Sequence, residues 1–162
     1  MQPEPTPSDA KPENDIANLR VLLAEDTGPM ADLILAMLAE INVHQVQTAV
    51  NGEIALELFR QNPTGFDIII SDWRMPKMTG LALLKEVRAL DPKIPFLMLT
   101  VRTANDAIKD AKDANVTAYI TKPFKAQNFQ TKISSMFKNI AAGKKATPIS
   151  NDDANSEYYV DL

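Results

Sequence analysis

The stretch DIIISDWRMPKMTG, Asp67 to Gly80, decides how the rest of the chain is read. Three successive isoleucines leave no polar face, and a strand apolar on both faces belongs in the middle of a parallel sheet. The run ends on Asp72, at the carboxyl end of that strand, where open α/β sheets place their chemistry. Alone, Asp72 has a second reading as a turn cap, so the surrounding elements have to decide.

Working outward, FDIIIS (Phe66–Ser71) is one of five strand-sized apolar runs. The others are VLLA (Val21–Ala24), VQTAV (Val46–Val50), PFLMLT (Pro95–Thr100) and VTAYI (Val116–Ile120). Four of the five are continuous rather than alternating, which favours burial on both faces. An amphipathic stretch follows each run. The first carries Met30, Leu33, Ile34, Met37, Leu38 and Ile41, with Pro29 suited to a first turn. Ile54, Ala55, Leu58 and Phe59 mark the second; Gly80, Leu83, Leu84 and Val87 the third. The fourth is weaker, with Ala104, Ala107, Ile108 and Ala111, and Thr103 and Asp106 are spaced as a capping box. Phe129, Ile133, Met136, Phe137 and Ile140 line the fifth. Strand and helix alternating five times predict an α/β fold: a five-stranded parallel sheet, order 2-1-3-4-5, with five helices on both faces.

Composition narrows the function. No cysteine is present, so thiolate metal sites and cysteine nucleophiles are excluded, and the single His44 excludes a multi-histidine metal site. A net charge of −4 gives no support for nucleic-acid binding. No apolar run approaches the roughly 18 residues that span a membrane, and the N-terminus lacks the pattern of a secretory signal. A cytoplasmic, monomeric protein is the expectation. Four of the 11 prolines fall in residues 1–18, which read as a disordered arm; 19–141 read as one domain and 142–162 as a flexible tail. The segment EYYVDL ends that tail and reads either as disordered chain or as a docking segment anchored by Tyr158, Tyr159 and Val160.

In the predicted topology the first strand ends at Glu25-Asp26, the third at Asp72 and the fourth at Thr100, and Lys122-Pro123 follow the fifth. All reach one rim. Three close carboxylates repel, so one takes up a proton unless a cation intervenes. Hard oxygen ligands of this kind suit Mg²⁺, which is typically held by one or two carboxylates with phosphate oxygens and water. A carboxylate can be the nucleophile that becomes an aspartyl phosphate, with a metal and a lysine neutralising the transferring group. Each residue also has an ordinary reading: Glu25-Asp26 as helix caps, Thr100 as a strand residue, Lys122 as a solvated loop lysine. Their joint placement is far more specific than any one of them.

LLAED, SDWRMPKMTG, FLMLT and AYITKPF resemble the response-regulator receiver domain of bacterial two-component signalling, over residues of about 19–140. The likeness is greatest to the stand-alone chemotaxis type, a flavodoxin-like receiver fold. That resemblance implies Asp72 as phosphoacceptor, and Mg²⁺ held by Asp26, Asp72 and the backbone carbonyl of Arg74, with Glu25 reaching it through water. It further implies that Lys122 pairs with the phosphoryl group and that Thr100 donates its hydroxyl to it. Tyr119 would be the aromatic that moves inward as Thr100 moves. The Lys122–Pro123 peptide would be cis, and Gly80 would open the third helix.

The implied partners are a sensor histidine kinase or histidine phosphotransfer protein, and a downstream protein target reached through helix 4, strand 5 and helix 5. The only catalysis implied is the domain's own phosphorylation and dephosphorylation. The pattern departs from its relatives at Val101, where a smaller residue is frequent, and at Thr79, where an acid is frequent. Arg74 and Arg102 stand two places past key residues, where the family tunes its lifetime. About 20 residues after 141 are too few for a DNA-binding or catalytic effector domain. Two other readings compete: a degenerate receiver acting as a phosphorylation-independent binding module, and an aspartate-nucleophile hydrolase of the haloacid dehalogenase kind. The EDTGP stretch lacks the D-x-D spacing of the latter.

Overall fold

The computed structural model describes residues 15–101 and 105–142, with the backbone alone for 105–107. A short 3-10 turn, Ile16–Asn18, leads into five strands: β1 (Arg20–Ala24), β2 (Gln45–Ala49), β3 (Ile68–Asp72), β4 (Phe96–Val101) and β5 (Ala118–Lys122). They alternate with five helices: α1 (Gly28–Glu40), α2 (Gly52–Gln61), α3 (Gly80–Leu90), α4 (Asn105–Asp113) and α5 (Ala126–Ala141). Every strand pair is parallel and the order is β2-β1-β3-β4-β5, as the sequence predicts. α1 packs with α5, and α2 with α3. The N-terminal arm up to residue 14, the side chains of Arg102 to Ala107 and the EYYVDL segment lie outside the described residues. Among the described residues no helix is long and apolar enough to cross a membrane.

The isoleucine run explains the centre of the sheet. Ile68, Ile69 and Ile70 are each 0% exposed, which needs cover on both faces. Each such side chain contributes on the order of 1.5–3 kcal/mol by leaving water. β2, at one edge of the sheet, differs: only Ala49 is buried, and Gln45, Gln47 and Thr48 face solvent.

Several helical positions depart from the predicted stripes. On α1 the buried residues are Ile34, Met37 and Leu38, while Leu33 is 46% exposed, because it lies about a quarter turn from the centre of that set. On α2 the buried set is Gly52, Ala55, Leu56 and Phe59; Ile54 falls on the opposite side and is 42% exposed. α3 buries all four predicted residues. α5 buries Phe129, Ile133 and Met136, and also Lys132, which no hydrophobic pattern could announce. β5 begins at Ala118 and runs on to Lys122, so Lys122 is a strand residue rather than a loop residue. The Lys122–Pro123 peptide is cis.

Glycine matters most where α3 meets β3. A Cβ at Gly80 would lie 2.3 Å from the carbonyl oxygen of Asp72 and 2.8 Å from Met98 Sδ. The Gly80 backbone therefore packs directly on the backbone of Asp72, which holds α3 tight behind it. Gly28 at the start of α1 has no atom within 4 Å of its missing Cβ. Gly80→Ala is expected to destabilise by about 1–3 kcal/mol, since the contact is backbone and cannot rotate away. Gly28→Ala should be neutral or stabilising, within about 1 kcal/mol. Urea unfolding of the two variants beside wild type checks both.

Candidate functional site at the carboxyl rim of the sheet

Register places the chemistry. Ala24 pairs with Ser71, so Glu25 and Asp72 stand level at the ends of β1 and β3. Asp72 pairs with Leu99, Leu99 with Ile120, and Val101 with Lys122. Strand side chains alternate between faces. Asp72 and Lys122 therefore share one face, and Thr100 and Tyr119 share the other.

Lys122 Nζ lies 2.7 Å from Asp72 Oδ1 and 3.8 Å from Glu25 Oε1. Asp72 Oδ1 also accepts a hydrogen bond from the Trp73 amide, at 3.0 Å. Carboxylate oxygens of Glu25, Asp26 and Asp72 all fall within 4.8 Å of one another. Glu25 and Asp72 are both buried, whereas Asp26 is exposed. Glu25 Oε2 accepts from both the amide and the hydroxyl of Thr27, at 3.0 and 3.1 Å. Its Oε1 is buried and accepts no hydrogen bond. Burial pushes the Glu25 carboxyl above its usual range; the Thr27 amide opposes this, Asp72 repulsion adds to it, and Lys122 and the Thr27 hydroxyl pull the other way.

The site thus gathers three carboxylates around one ammonium, with a buried oxygen lacking a donor. A buried polar atom without a partner calls for an explanation, and an ion is one of them. The donor set is all hard oxygen, which fits Mg²⁺ and not a soft metal.

The remaining predicted residues take these places. Thr100 is buried at the end of β4, and its hydroxyl donates to the Val101 carbonyl at 3.3 Å rather than toward Asp72. Tyr119 is 1% exposed, so its ring is already inside. Arg74 is exposed in the β3–α3 loop, and Val101 stands 41% exposed past Thr100. That loop turns at Lys77, in the left-handed region with φ 70°, and closes where the Gly80 amide donates to the Trp73 carbonyl at 2.8 Å. The ordinary cap reading of Glu25-Asp26 does not hold, since α1 has no side-chain cap and no acid in its first turn. Thr27 is the residue that sequence reasoning missed: before Gly28-Pro29 it reads as a helix N-cap, which hides its contact with Glu25.

The family described as response regulator receiver domain matches residues 21–134. Chemotaxis protein CheY-3 of Vibrio cholerae is 31% identical over 125 residues, covering 76% of this chain and 95% of the relative. Chemotaxis protein CheY of Pseudomonas aeruginosa is 33% identical over 124 residues, covering 75% and 98%. Among solved structures, a response regulator receiver domain protein from Clostridium thermocellum superimposes with a TM-score of 0.70 at 26% identity, covering 76% of this chain and 98% of that one.

The crowded charge predicts a pH-dependent weakness in metal-free solution. A carboxyl whose folded pKa is raised binds more protons in the native state, so stability falls as pH rises from the unfolded value through the folded one. Glu25→Gln removes this penalty. With chelator present, the variant should melt above wild type at neutral pH. The gap should close on acidification toward 4.5, the ordinary value. Thermal melts of both proteins across that range check it.

Proposed function

The chain belongs to the response regulator receiver domain family, whose members are signalling modules rather than classical enzymes, and we propose that it is a phosphorylatable switch with Asp72 as the acceptor. The observation that carries this reading is the Lys122 Nζ contact with Asp72 Oδ1 at 2.7 Å, inside the ring of three carboxylates. In this reading residues 19–141 are the working unit, and the donor is a phosphohistidine of a kinase or phosphotransfer protein.

Asp26, Asp72 and the Arg74 backbone carbonyl would hold Mg²⁺ directly, with Glu25 behind a water. When bound, the ion supplies positive charge to the phosphoryl oxygens and to the crowded carboxylates. An Asp72 oxygen attacks phosphorus, the nitrogen–phosphorus bond breaks, and the leaving imidazole keeps the bonding pair and takes up a proton. An acyl phosphate is left on Asp72. Lys122 stays beside it as a fixed ammonium, and the burial of its partners strengthens that attraction. Water attacking the same phosphorus later returns the free carboxylate and inorganic phosphate.

A phosphoryl group brings about two negative charges and three acceptor oxygens. The Thr100 hydroxyl is the nearest neutral donor on β4 that can turn to it. Its weak bond to the Val101 carbonyl, at 3.3 Å, is easily exchanged. Output then passes to a protein target through the face of α4, β5 and α5, beside Tyr119. The chemotaxis relatives make a motile-response pathway the natural context.

Intact mass after incubation with Mg²⁺ and a small acyl-phosphate donor tests the reading. Wild type should gain one phosphoryl group; Asp72→Asn, or omission of Mg²⁺, should abolish it. A branched Val101, 41% exposed at the end of β4, would narrow the approach to a phosphoryl site beside it, so a phosphohistidine donor is run in parallel. No adduct from either donor would leave the domain a phosphorylation-independent binding module.

A further inference from the structure

Three helices of this domain begin at residues of the capping type, and one of them behaves differently. Asn51 before α2 accepts the Ile54 amide at 2.8 Å. Thr79 before α3 accepts the Ala82 amide at 3.1 Å. Thr27 before α1 has the same extended backbone, φ −101° and ψ 129°, yet makes no side-chain cap bond. A cap of this kind is typically worth about 1 kcal/mol to the helix. Thr27 forgoes it and donates its hydroxyl to Glu25 Oε2 instead, at 3.1 Å, beside its own amide at 3.0 Å.

The consequence is an oriented carboxylate. Two donors from one residue occupy Oε2, so Oε1 is the oxygen left to a ligand. That oxygen is buried, without a hydrogen bond, and 3.8 Å from Lys122 Nζ. The two oxygens of a carboxylate are equivalent, so what the second bond adds is a fixed plane for the group, in a site where the Glu25 side chain is 2% exposed. Groups that hold a metal's carboxylates in place commonly change metal affinity by about 10–100-fold when removed.

We infer that Thr27 is a positioning residue for Mg²⁺: its hydroxyl fixes the orientation in which the Glu25 carboxylate meets the ion's coordination sphere. This rests on the Mg²⁺ reading of the acid cluster given above. The bond to the Thr27 amide survives any side-chain change, so the effect belongs at the lower end of that range. Thr27 touches neither phosphorus nor the Asp72 oxygens; it acts through Glu25.

MgCl₂ titration of the full chain tests this, read by calorimetry and by emission of Trp73, the single tryptophan, whose amide is bonded to Asp72. Thr27→Val keeps the branched shape and removes the donor. Its dissociation constant should rise roughly tenfold, while its melting temperature in chelator should fall no further than that of the cap variant Thr79→Val, since each loses one side-chain hydrogen bond. Thr27→Ser should restore affinity to within about twofold. Thr79→Val is the control: it loses a real cap, so its melting temperature should fall while its Mg²⁺ affinity holds. Wild-type affinity in Thr27→Val overturns the inference. An equal loss of affinity in Thr79→Val also overturns it, since general weakening of the fold would then be the cause. If wild type shows no saturable Mg²⁺ response, the metal reading itself fails and Thr27 falls with it.

Discussion

Parallel pairing brings Glu25, Asp72 and Lys122 to the same edge of one sheet, and the charge collected there is the constraint around which the domain is arranged. These side chains stand on or just past strand ends, and the strands behind them are locked by full burial of Leu22, Leu23, Ile68, Ile69 and Ile70. The carboxylates therefore cannot drift apart to relieve their repulsion, as they would on a loose loop. One ammonium at 2.7 Å from Asp72 and 3.8 Å from Glu25 offsets part of it. The rest stays in the native state as a standing preference for a cation or a proton. A site meant only for stability would be better served by apolar residues of similar volume.

The opposite rim shows what the same fold does with a charge used for structure. Arg88 on α3 is drawn inward until burial lowers its pKa. Its guanidinium donates to the carbonyls of Asn115, Ile94 and Asp91, at 2.9, 2.7 and 3.3 Å, and to the Thr117 hydroxyl at 3.3 Å. These acceptors lie at the amino ends of β4 and β5, so Arg88 pins α3 to the two strands. Every side of that ion is answered by a neutral acceptor. Glu25 Oε1, withdrawn further from solvent than the half-buried Arg88, is not so answered. The contrast separates a charge satisfied within the fold from one left open at the rim.

The topology and the acid cluster were legible because both follow from period and position. Continuous apolar runs mean two-sided burial, and right-handed crossovers leave little choice of order. The rim residues then follow from where each run stops. Three kinds of detail were not legible. Leu33 lies about a quarter turn from its helix's buried set, and on α2 Leu56 is buried while Ile54 opposite it is exposed; the neighbouring element's position decides which apolar side of such a helix is covered. Lys122 extends β5 because pairing with Val101 continues past the apolar run, and backbone pairing leaves no mark in hydropathy. The Thr27 hydroxyl has two uses, accepting a helix amide as a cap or donating to a carboxylate as a clamp, and the location of Glu25 selects the second.

Alternation along the strands also limits how the rim can signal. Asp72 and Lys122 face one side of the sheet, and Thr100 and Tyr119 the other. Charge added at Asp72 cannot press on Tyr119 through direct contact; a densely packed strand lies between. The path that remains runs around the end of β4, where Thr100 stands at the rim and its hydroxyl can serve either side. Tyr119 is 1% exposed, so in this conformation its ring is already inside. A ligand shifts an equilibrium only by differential contacts. The contact with most to gain is then Thr100's own. Its bond to the Val101 carbonyl is long, at 3.3 Å, and under the proposed phosphorylation a charged acceptor on Asp72 would offer a shorter and stronger one. Exchanging the first bond for the second would draw in the end of β4, and with it exposed Val101.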